Sequence, residues 1–263
     1  MTAEQILTDT IRVLPDAAAV LRPPPSDEQV SAAVIRDPAW LAEQVRRRGS
    51  MWRTLDVRVA ATVWWYSAST VLLTPTIASL LATGSALSPA LDDMILHQQS
   101  SSRFSGAHSN ALVPCRLDGL AATLRTALAE TIDALSAITA RPRPLWAIAT
   151  DALANRCLWA GQQLDRVPEA TRLAETMAEA IGRIMPTPRF VDVVPYPGLD
   201  DLDDLDEPGE WPATKPPVRF VRRCSCCLIY RAPDEAMCTS CPGRSAADRL
   251  ARLRSTASAW RSA

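Results

Sequence analysis

Apolar residues recur at helical spacing through much of the chain. Across 120–140, Leu124, Ala127, Leu128, Ile132 and Leu135 share one face, and Asp118 stands ahead of them as a cap. Stretches 145–164 and 169–185 predict two further helices, with Arg141, Pro142, Arg143 and Pro144 interrupting the series and Pro168 near the start of the second. Nearer the N-terminus, Asp37 and Pro38 supply a cap and a first-turn proline for a helix reaching Arg48, where Gly49 stops it. Ser26, Asp27, Glu28 and Gln29 fit a capping box opening a short helix. Together these segments suit an antiparallel helical layer.

Two stretches depart from that pattern. Residues 59–84 carry no charge and are long enough to cross a bilayer. They also hold eight Ser/Thr residues and Pro75, and no comparable second segment accompanies them. The expectation is a buried helix pair broken at Pro75, with peripheral membrane contact left open. Trp64, Trp65 and Tyr66 inside it read as core, a ligand-facing surface being the alternative. Between 84 and 114, Met94 to His97 and Ala111 to Val113 suit short strands around a serine-rich turn at 100–105, a small hairpin or irregular loop. The fold class predicted is mainly α with a small β component.

At 263 residues and 48% hydrophobic, the chain can bury a sizeable core. A net charge of -1 gives no pull toward nucleic acid, and no helix-turn-helix signature lies beside a basic patch. Charge is unevenly placed, however. Residues 200–210 hold seven acidic residues in eleven, whereas from Trp211 onward ten Lys/Arg face three Asp/Glu. This predicts a helix-rich body over 1–198, an acidic, proline-rich linker or loop over 199–217, and a C-terminal segment over 218–263. The last helix, 246–260, reads as an amphipathic lid with Leu250 and Leu253 inward. Residues 1–14 lack the basic start and apolar run of a signal peptide, so the expected location is cytoplasmic. There, clustered cysteines more often bind metal than form disulfides.

Five of seven cysteines lie between 224 and 241: Cys224, Cys226, Cys227, Cys238 and Cys241. Cys115 and Cys157 stand apart and read as inert core residues. Two ligand sets can be drawn. Cys226 and Cys227 with Cys238 and Cys241 give C-C-x10-C-x2-C; Cys224 and Cys227 with the same later pair give C-x2-C-x10-C-x2-C, close to a zinc ribbon. Spacing alone leaves the choice open. Val218 to Val221 leads in as a strand, and apolar Leu228 and Ile229 follow where a zinc ribbon normally turns with glycine. For adjacent cysteines to face one centre, the backbone must bend, since successive strand side chains point to opposite faces.

The run from Arg222 through Cys226 and Cys227 to Arg231, followed by Cys238 to Pro242, resembles the C-terminal signature of the FhuF-type ferric-siderophore reductases. That resemblance implies a 2Fe–2S cluster held by Cys226, Cys227, Cys238 and Cys241. It also implies one-electron reduction of siderophore-bound Fe(III) to release Fe(II), with a ferric siderophore and an electron donor such as a ferredoxin or reductase as partners. No general acid or base is needed, in keeping with the absence of a catalytic triad or Gly-rich loop. Cys224 lies outside the pattern. The alternative is a non-enzymatic binding or scaffold protein with a structural zinc ribbon on Cys224, Cys227, Cys238 and Cys241. An iron- or redox-sensing regulator would need a DNA-binding element. Arg222, Arg223 and Arg231 flank the cysteines, as attraction for an anionic chelate or acidic donor or as ordinary solvated residues; His97 and His108, unpaired in sequence, read as structural or exposed.

Overall fold

The computed structural model describes residues 1–99, 103–139, 141–195 and 216–262. Its first three helices are α1 (Ala3–Val13), α2 (Ala18–Leu21) and α3 (Pro38–Met51). Asp37 caps α3 as expected, its carboxylate accepting from the Ala39 N–H at 2.8 Å. Gly49 does not stop the helix. A Cβ there would lie 3.0 Å from the Thr54 carbonyl, so the glycine serves the close turn that follows.

The uncharged stretch forms one helix, α4 (Val57–Thr83), with Pro75 inside it. The expected break is therefore absent. Nearly every residue from Val59 to Leu81 is buried against neighbouring elements, and tertiary packing outweighs the lost backbone hydrogen bond. Asp56 caps the start through the Arg58 and Val59 N–H groups, and Gly84, at φ 73°, ends it. Among the described residues no helix is long and apolar enough to cross a membrane.

Three more helices complete the body: α5 (Leu117–Thr139), α6 (Pro142–Gln163) and α7 (Val167–Ile181). Asp118 lies in the first turn of α5 rather than ahead of it, and Pro142 and Pro144 lie in the first turn of α6. Helices α4 and α6 pack along each other, and the Trp65 indole donates to the Leu145 carbonyl at 2.8 Å. Trp64 and Trp65 are fully buried in the core, the Trp64 indole N–H without a hydrogen-bond partner.

A small sheet covers one side of α4. Strands β1 (Glu28–Ser31), β3 (Met94–Gln98) and β4 (Phe104–Ser109) pair antiparallel in the order β1-β3-β4, while β2 (Ala86–Leu87) pairs with β5 (Leu112–Val113). Two expectations fail here. Residues 28–31 form a strand, not a capped helix, because Gln29 and Val30 pair with His97 and Leu96. Ser105, expected in a turn, lies in β4. The histidines are paired after all: His97 Nε2 and His108 Nδ1 are 2.8 Å apart across the β3–β4 ladder.

Much of the acidic linker, including 200–210, falls outside the described residues. Beyond it, β7 (Val218–Val221) returns to pair with β6 (Phe190–Val193), register Phe190↔Val221 to Val193↔Val218. One face of this ribbon packs Val221 on Ala154 and Leu158 of α6; on the other, Leu253 and Ala257 of α8 (Ala246–Ser262) cover Val193 and Phe220. Leu250 is exposed instead of inward, since a two-stranded ribbon is too narrow to cover the first turns of α8.

Candidate metal centre

Strand β7 ends at Val221, and the cysteine run that follows is irregular. The bend required between adjacent cysteines and the onward chain is present. Leu228 takes a left-handed conformation, φ 61°, and a single 3-10 turn, Ile229–Arg231, follows. Cys226 and Cys227 can then present both side chains toward the later pair. Cys226 lies beside Cys241 and Cys227 beside Cys238, each pair close enough for one thiol to shift the other's ionisation. Cys227 and Cys241 are buried and Cys226 and Cys238 half-buried, at the outer edge of the body.

Charged side chains of the C-terminal segment hold the second pair. Cys241 N–H donates to the Cys238 carbonyl at 3.1 Å, making a tight turn. Arg244 donates from Nε to the Cys238 carbonyl at 2.9 Å and from Nη2 to the Met237 carbonyl, and Arg249 reaches the Cys241 carbonyl at 3.4 Å. Part of the basic excess of the tail is thus used on carbonyls that a turn leaves unpaired.

Cys224 is not in the group. Its thiol donates to Asp151 Oδ1 at 3.2 Å and to the Ala147 carbonyl at 3.5 Å. Burial and then the Asp151 charge push that thiol up to about 12. Asp151, buried on α6, also accepts the Cys224 N–H at 2.9 Å, the Ser225 N–H at 3.0 Å and the Ser225 hydroxyl. One carboxylate therefore clamps the loop that carries the first cysteines.

Arg223 completes the clamp, and its place differs from the solvated flank the sequence allowed. Its side chain is 3% exposed, with Nε 3.5 Å from Asp151 Oδ2 and the guanidinium 4.7 Å over the Tyr66 ring. Nη1 donates to Cys238 Sγ at 3.3 Å, while Nε and Nη2 have no hydrogen-bond partner. Arg222 and Arg231 are exposed. The neighbouring Cys238 thiol is the largest influence on Cys227, ahead of the Ile229 N–H and Arg223; together they bring Cys227 down to about 5 and leave the proton on Cys238.

Asp151 is the residue that sequence reasoning missed; Tyr66, read with its tryptophan neighbours as core, is instead 37% exposed and lies against Arg223. Asp151 left a trace: it is the one acid in the otherwise uncharged run from Leu145 to Asn155. The two distant cysteines separate from each other. Cys157 is buried on α6 and raised to about 12 by burial, but Cys115 is exposed just beyond β5, so its reading as core is corrected.

Residues 223–242 match the FhuF 2Fe-2S C-terminal domain. No curated protein matches the chain. The FhuF-type segment runs from Arg223 to Pro242 and its cofactor is a 2Fe–2S cluster. The side chains present fit that group. Four thiols from one short segment match in number and kind the cysteine donor set of such a cluster. A buried cation faces them, which offsets the charge that four thiolates bring.

Proposed function

We propose that this iron–sulfur protein is a ferric-siderophore reductase whose cluster is held by Cys226, Cys227, Cys238 and Cys241. The observation that carries the reading is the grouping of these four thiols, within the FhuF-type segment, beside one buried guanidinium and with Cys226 on the wall of an open cavity. When bound, the 2Fe–2S cluster supplies a one-electron store between a low-potential donor protein, of the ferredoxin or flavoprotein-reductase kind, and the chelate. Fe(III) gains that electron and becomes Fe(II), which hard oxygen donors hold far less tightly, so iron is released in the cytoplasm.

The side chains around the thiols have separate tasks. Asp151 fixes the loop through two backbone N–H groups, which sets the direction of Cys226 and Cys227. Tyr66 and α6 keep water from the inner side of Arg223. Arg223 places a positive charge where reduction adds a negative one, and so favours the reduced state. Arg223→Gln is expected to lower the midpoint potential by roughly 100 mV, the order of a unit charge a few ångströms away at intermediate dielectric. Potentiometric titration followed by EPR reads this; an unchanged potential would show that Arg223 acts only on folding.

The reading itself is tested on protein purified without oxygen, by absorption and EPR before and after dithionite together with iron, zinc and sulfide assays. Equal iron and sulfide, with a paramagnetic signal only after reduction, is the expected result. Colourless protein holding zinc would instead make the segment a structural ribbon.

A further inference from the structure

A cavity of about 410 Å³ opens beside the thiols, between the start of α4, the junction of α5 with α6, and the cysteine loop. Cys226 and Leu228 form part of its wall, and Arg58, Arg141 and Arg143 stand around it. Among the described residues, none of these three arginines has a carboxylate partner, although twelve ion pairs occur elsewhere among them. Unpaired arginines gathered on one concavity lack the usual explanation of a solvated, ion-paired surface.

Two further features have the same sign. Helix α6 begins at this cavity, and Arg141, its N-cap, makes no side-chain cap hydrogen bond. Pro142 and Pro144 remove two of the helix's first N–H groups, so the helix adds to this space the field of its positive end rather than a set of donors. Thr139, also on the wall, has a buried hydroxyl with no hydrogen-bond partner. Pro144 and Leu228 add apolar surface against which a flat ring can lie.

We infer that this cavity is the docking site for an anionic ferric chelate of the catecholate or carboxylate class, held by Arg58, Arg141 and Arg143 against the Cys226 side of the centre. The inference rests on the reductase reading and adds the class of its substrate. A ferric tris-hydroxamate core is neutral and gains little from three cations; a ferric tris-catecholate or citrate complex is an anion and gains from all of them. The site is a recess rather than a flat basic face, which suits a small chelate better than the surface of an acidic donor protein.

The test uses the cluster-loaded protein and gallium(III) chelates, which carry the charge of the ferric ones but cannot accept an electron. Calorimetric titration compares gallium tris-catecholate, gallium citrate and a neutral gallium tris-hydroxamate. The anionic chelates are expected to bind at least about ten-fold tighter than the neutral one, with affinity falling as salt rises. Arg58→Gln, Arg141→Gln and Arg143→Gln should each weaken binding by about five-fold, with the cluster spectrum serving as the check on folding. Equal affinity for neutral and anionic chelates, or indifference to the three replacements, overturns the inference. It is equally overturned if no gallium chelate binds and the replacements instead slow cluster reduction by the donor. Binding of the gallium chelates without oxidation of the reduced cluster by their ferric counterparts would keep the docking site and remove the reductase reading. Oxidation that ignores the arginines would do the reverse.

Discussion

Serine at Cys226, Cys227, Cys238 or Cys241 is expected to strip the purified protein of nearly all its iron, sulfide and visible colour, whereas Cys224→Ser keeps all three. The contrast follows from where the thiols point. The first four lie beside one another in pairs, while the Cys224 thiol donates to Asp151 and the Ala147 carbonyl. A serine oxygen is a poor substitute for a thiolate on iron, and four ligands leave no spare. Iron and acid-labile sulfide per chain decide the matter. Colour lost with Cys224→Ser and kept with Cys226→Ser would exchange the two residues' roles.

Asp151→Ala is expected to be the most damaging change outside the cysteines. It removes the acceptor for two backbone N–H groups and leaves the Arg223 guanidinium buried without its countercharge. Breaking a buried pair from one side typically costs about 3–5 kcal/mol, which for a chain of this size lowers the melting temperature by about 10 °C. The cost should be concentrated locally, with the loop from Arg222 to Leu228 becoming open to protease before the helices unfold. Asp151→Asn keeps an acceptor and loses the charge, so its effect should be smaller. Thermal melting of the loaded protein, with limited proteolysis alongside, reads both; a silent Asp151→Ala would mean the loop is held by β7 and the cluster alone.

These two expectations also show where the sequence was readable. The helices of the body and the Asp37 cap were legible because each depends on residues within a few turns. The cysteine pattern was legible for the same reason, all its members lying between 224 and 241. What failed depended on distant partners. Ser26 to Gln29 has the local signature of a helix start, yet Glu28 pairs with Gln98 and a strand forms. Pro75 has the local signature of a break, yet packing of α4 against its neighbours carries the helix through. Spacing leaves the choice between Cys224 and Cys226 open, and the proposed answer also depends on a distant partner. It turns on Asp151, 73 residues earlier in the chain, and no spacing within the motif encodes that. Arg223 likewise looked like an exposed flank until Tyr66 and Asp151 closed over it.

The proposed function rests on electron transfer to a chelate, and a single-turnover experiment tests it most directly. Protein reduced with dithionite and freed of excess reductant is mixed without oxygen with a ferric catecholate chelate and a ferrous-iron trap. Cluster absorption and trapped Fe(II) are followed together. The account predicts that the oxidised spectrum returns and Fe(II) appears at the same rate, one Fe(II) for each cluster. A cluster that stays reduced, with no Fe(II) formed, would contradict it.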